Sequence, residues 1–65
     1  MLYDEFIKIR KEILNTSQEK LAGILEKSRN TIILYEKGIQ RIPSNIVMSM
    51  RFLKMKKEIN KINSN

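Results

Sequence analysis

Apolar residues recur along this chain at spacings of three and four, and that rhythm divides it into four helical segments. In the first, "DEFIKIRKEILN" with the residues just before it, Leu2, Phe6, Ile9 and Ile13 form an inner stripe, Asp4 is the expected cap and Asn15 the expected end. The second, "TSQEKLAGILE", turns Leu21, Ala22, Ile24 and Leu25 inward. Its start admits two caps: Thr16, with Glu19 three residues on, fits a capping box, and Ser17 serves equally. After Glu26 and Lys27, Ser28 is placed to cap a third helix that reaches Lys37 and stops at Gly38, a residue free to take the left-handed conformation. Pro43 and Ser44 open a fourth, with Ser44 as cap and Ile46, Val47, Met50 and Leu53 as its inner stripe. That helix carries a second apolar stripe, Met48, Phe52, Met55, Ile59 and Ile62, in a heptad rhythm. The closing "NKINSN" is expected to fray.

The third segment holds four consecutive non-polar side chains, Ile32, Ile33, Leu34 and Tyr35, more than one helix face can bury. With Ile32 at zero, Tyr35 falls near about −60°, whereas Ile33, Lys37, Asn30 and Leu34 fall between about 100° and 200°. The outward face is therefore expected to be Asn30, Ile33, Leu34 and Lys37, with Arg29 at its edge. Such a mixture suits a DNA major groove, where apolar side chains touch the thymine methyl, Arg bonds guanine and Asn bonds adenine. The plainer reading makes Ile33 and Leu34 an extension of the core.

Composition narrows the classes. Sixty-five residues bound the chain to a single domain, 1–65, with a core too modest for a substrate cavity. Two glycines and one proline are too few for a protein of many β-turns, so the expected fold is all-α, a compact bundle of four to five helices. With neither cysteine nor histidine there is no disulfide framework, no zinc site and no Cys/His nucleophile, and the seven acidic residues lie dispersed among lysines, only Asp4 and Glu5 being adjacent. No enzyme, metal or cofactor is expected. Thirteen basic against seven acidic residues leave +6, which suits a polyanionic partner, nucleic acid or an anionic membrane surface. Asp4 and Glu5 interrupt any signal peptide and no long uncharged apolar run follows, so a soluble, cytoplasmic protein without a membrane partner is expected.

The stretch "SQEKLAGILEKSRNTIILYEKG" resembles the Cro-like phage-repressor, or xenobiotic-response-element, family of helix-turn-helix domains. Gln18, Leu21, Ala22, Leu25, Ser28, Ile32, Glu36 and Gly38 fall on that family's pattern without a gap, and the resemblance covers residues 4–53. It implies a lambda-repressor-like DNA-binding domain with its helix-turn-helix at 17–38 and a C-terminal helix at 44–62 for core and dimerisation. It further implies base contacts from Arg29, Asn30, Thr31, Ile33 and Leu34, and backbone contacts from Ser17, Gln18, Ser28, Lys37, Gln40 and Arg41. Gln18 would touch a phosphate and brace the third helix.

The chain departs from the pattern in three places. Glu26 stands where glycine is usual, and Lys27 where a small apolar residue is common. The family also pairs an arginine on the first helix with the glutamate before the terminal glycine. Arg10 takes that role, as a structural pair with Glu36, if one extra residue is inserted in "LNTS". The ungapped alternative gives it to Lys11, turns Arg10 inward and places Thr16 at an apolar position.

The function expected is that of a sequence-specific double-stranded-DNA-binding transcriptional regulator, a small autoregulatory repressor of a phage or mobile-element operon. It is expected to act on a palindromic operator as a homodimer through Met48, Phe52, Met55, Ile59 and Ile62 of the C-terminal helix. With no sensor domain in view, no small-molecule effector is expected. The alternative is an antitoxin-like module that neutralises a partner protein and binds DNA secondarily. A basic membrane-surface peptide is opposed by the acidic residues interspersed among the helices.

Overall fold

A computed structural model describes the backbone of residues 1–63 and the side chains through Asn60. Among the described residues every regular element is helical. Helix α1, Tyr3–Lys8, runs directly into a π-helical turn, Ile9–Ile13; α2 is Gln18–Leu25, α3 Arg29–Glu36 and α4 Ser44–Asn63.

Helix α1 starts two residues earlier than its polar pattern predicts. Leu2, not Asp4, occupies the cap position in extended backbone, and the Asp4 carboxylate sits in the first turn, accepting a hydrogen bond from the Glu5 N–H at 2.9 Å. Lying ahead of the first turn, Leu2 misses the inner stripe and is exposed; Phe6 and Ile9 are buried and Ile13 packs at the core margin. The π turn contains one residue more than an α turn, as the Leu14 N–H to Ile9 carbonyl bond of 2.8 Å shows. The additional residue expected in the loop is thus accommodated within the helix. Asn15 then takes the left-handed conformation, φ 49°, and ends it.

Ser17 caps α2, its hydroxyl accepting from the Lys20 N–H at 3.0 Å, so Thr16 is not the cap. Leu21 and Ala22 are buried and Leu25 flanks them, but Ile24 is 49% exposed, against the expectation that it faces inward. It lies about 110° from the centre of the face the other three define.

The α2–α3 turn is three residues long, Glu26–Ser28. Glu26, at the position where the pattern favours glycine, adopts φ 57°, and the Lys27 N–H reaches back to the Ala22 carbonyl at 2.9 Å, closing α2 as a Schellman-type end. Ser28 caps α3 through the Thr31 N–H at 3.2 Å. Gly38 follows at φ 71°, the left-handed conformation that favours glycine, and a Cβ there would stand 3.1 Å from the exposed Tyr3 ring, which would have to shift slightly.

Ser44 is the first residue of α4 rather than its cap: the Pro43 carbonyl accepts from the N–H groups of both Ile46 and Val47 at 3.0 Å. A proline ahead of a helix forfeits no helical donor. Helix α4 continues without a break past Lys54, and its 20 residues, about 30 Å long, account for much of the 40 Å long axis of the molecule.

All four helices contribute to one core. Phe6 meets Tyr35 edge to face, ring centroids 5.9 Å apart, while Leu21, Ile32, Ile46 and Met50 close around them. Burying each of these large side chains stabilises the fold by about 1.5–3 kcal/mol. Ile42, in the connection before α4, is a further buried residue that the helical stripes did not include.

Candidate nucleic-acid interface

One polar cluster with little exposure to water ties the π turn that follows α1 to α2 and α3. Arg10 donates through Nε to Glu36 Oε2 and through Nη2 to Glu36 Oε1 at 3.0 Å, and its third arm, Nη1, donates to the Thr16 carbonyl at 3.0 Å. Gln18 Nε2 donates to the same Glu36 Oε1 at 2.9 Å. The Arg10 and Glu36 side chains are only 9% and 8% exposed, so the pair is shielded from water and its geometry is held by several bonds at once. Arg10 fills the role expected of it, and Lys11 is exposed.

The network sets Gln18, the first residue of α2, against the last residue of α3, Glu36. At the other end of α3, Arg29 shares a shallow cleft with Arg10, Ser17, Gln18 and Glu19. The N-terminal turns of α2 and α3 therefore border one depression, and the first N–H groups of a helix lack intrahelical partners and attract anions. Arg29 and Asn30 are exposed in the first turn of α3, and Lys37, Gln40 and Arg41 are exposed beyond its other end.

Other expected contact residues also make hydrogen bonds within the chain. The Ser17 hydroxyl serves as the α2 cap, and the Ser28 hydroxyl caps α3 while sharing a hydrogen bond with the Thr31 hydroxyl at 2.9 Å. Thr31 is half-buried. Ile33 and Leu34 are also half-buried, not fully water-facing as the helical arithmetic implied, and both stand outside the core cluster. After Gly38 the chain folds back on this end of α3, Ile39 and Gln40 donating to the Leu34 carbonyl at 3.1 and 3.3 Å.

On α4, Met48, Phe52, Met55 and Ile59 are between 46% and 70% exposed; the Ile62 side chain lies outside the described residues. With Met50 at zero, the core-facing Ile46, Val47 and Leu53 fall within about 60° of it, and the exposed stripe falls between about 140° and 200°. The stripe therefore lies on the side of α4 opposite its core-facing residues, with Met48 and Phe52 also bordering α2. Ile24 enlarges this apolar surface: a groove between α2 and α4 is lined by Ile24, Leu25, Met48, Ser49 and Phe52. The signal for Ile24 was present in the sequence, as its angle from the other three apolar residues of α2.

Among the described residues no group of three His, Cys, Asp or Glu side chains is placed to hold a metal ion, and no helix is long and apolar enough to cross a membrane. A scan against protein-family models and searches of curated proteins and of solved structures give no match.

Proposed function

We propose that this chain is a sequence-specific double-stranded-DNA-binding regulator of transcription, a small repressor that acts as a homodimer on a two-fold operator. The observation that carries the reading is the exposed first turn of α3, with Arg29 and Asn30, beside the N-terminus of α2 on a frame fixed by Arg10, Glu36 and Gln18. In this reading α3 enters the major groove by that end. Arg29 bonds guanine O6 and N7, Asn30 pairs with adenine, and the accessible parts of Ile33 and Leu34 meet thymine methyls. A phosphate lies against the start of α2, and Lys37, Gln40 and Arg41 hold the backbone farther along.

The net charge of +6 supplies the attraction, which is independent of sequence and falls with salt. The α4 stripe supports a two-fold dimer, whose recognition helices would address half-sites one turn of DNA, about 34 Å, apart. Binding-site selection from random duplexes tests this. A symmetric consensus is expected; recovery of unenriched duplexes despite binding would reduce the protein to a non-specific polyanion binder.

A further inference from the structure

The dimer proposed above leaves open how two copies of α4 meet. We infer that they pair antiparallel, in the alignment that sets Phe52 of one copy opposite Met55 of the other and Met48 opposite Ile59; the inference rests on the dimer reading and adds its orientation.

The stripe follows the heptad spacing of a helix–helix seam, with Phe52 and Ile59 in one seam position and Met48 and Met55 in the other. An antiparallel seam joins one kind of position to the other. The stated alignment does so for all four residues at once, with the two-fold axis passing between the central Phe52–Met55 layers. Shifting it by a heptad one way leaves Met55 and Ile59 opposite polar residues; shifting it the other way leaves Met48 without a partner and sets Lys56 against Lys56 and Glu58 against Glu58 of the second copy.

Charge decides between this and the parallel arrangement. Arg51 and Glu58 flank the seam on one side, Ser49 and Lys56 on the other, and all but the half-buried Ser49 are exposed. In a parallel pair Arg51 of one copy meets Lys56 of the other, twice over by symmetry, which is repulsive. In the antiparallel pair Arg51 meets Glu58 of the second copy, and symmetry repeats that attraction, while Lys56 meets the neutral Ser49. Flanking charges of this kind set partner orientation in helix pairs.

The chain contains no cysteine, so single introduced cysteines report the geometry without interference. Met48→Cys protein bearing a size tag is mixed with untagged Ile59→Cys protein and oxidised. The antiparallel pair gives the mixed disulfide and little Met48→Cys homodimer, because its two position-48 sites are about 16 Å apart along the seam, beyond disulfide reach. A dominant Met48→Cys homodimer overturns the orientation.

Independently, Arg51→Glu should raise the dimer dissociation constant about tenfold, and adding Glu58→Arg should restore it. A tighter dimer on Arg51→Glu alone indicates the parallel arrangement and overturns the inference. Circular dichroism checks that each variant retains its helix. A wild-type chain that sediments as a monomer at high concentration overturns the dimer itself, an outcome distinct from a wild-type dimer with the wrong cross-link.

Discussion

Arg10 and Glu36, 26 residues apart in the chain, meet in a two-armed ion pair shielded from water, and the same arginine holds the Thr16 carbonyl while the same carboxylate holds Gln18. The pair thus fixes the first helix, the loop after it and both ends of the α2–α3 unit with one set of bonds. Removing one partner strands a desolvated charge, so Arg10→Ala should destabilise the fold by about 3–5 kcal/mol in urea unfolding. Arg10→Met with Glu36→Met should recover much of that loss. Arg10→Lys should not, since an ammonium cannot reproduce the fork.

Glu26 sits at φ 57°, where a side chain crowds its own backbone. Glu26→Gly should stabilise the protein by about 1 kcal/mol, read as a higher urea midpoint with unchanged slope. A β-branched residue there should do the opposite.

The Thr16 hydroxyl is buried and has no hydrogen-bond partner among the described residues. Thr16→Val should therefore be neutral or stabilising, because a desolvated polar group is replaced by one of the same shape. Were Thr16 the cap of α2, the same change should lose about 1 kcal/mol, as Ser17→Ala is expected to. Thermal unfolding of the two variants separates the cases.

These positions also show what could be read from the sequence. Helical spacing located every helix, the Ser28 cap, the Gly38 stop and the buried stripe of α4, because each is a local property of backbone and periodicity. The match of Arg10 to Glu36 required comparing two registers, and keeping Phe6 and Ile9 inward decided between them. The errors fell where tertiary or main-chain geometry prevailed. Leu2 is apolar but lies ahead of the helix, Ile24 lies off the face that packs, and Pro43 provides the carbonyl that begins α4. No spacing rule anticipates the π turn, which places Arg10 on Glu36 and leaves Lys11 exposed. On the candidate interface, sequence correctly expected Arg29, Asn30, Lys37, Gln40 and Arg41 to be accessible, and overestimated the exposure of Ile33 and Leu34.

The half-buried state of Leu34 leaves part of its side chain for a ligand. Replacing thymine by uracil at single positions of the selected operator should weaken wild-type binding where a methyl is touched, and Leu34→Ala should lose that sensitivity at its own position. Unchanged sensitivity in a variant with a much lower melting temperature would assign Leu34 to packing alone.

Base reading by the first turn of α3 is tested by measuring Arg29→Ala and Arg41→Ala against both the selected operator and a random duplex over a range of salt. Arg29→Ala should lose about 1–3 kcal/mol on the operator alone and relax the preference at one position of each half-site. Arg41→Ala should weaken both duplexes alike and flatten the salt dependence. An equal loss on operator and random DNA for Arg29→Ala would contradict the account.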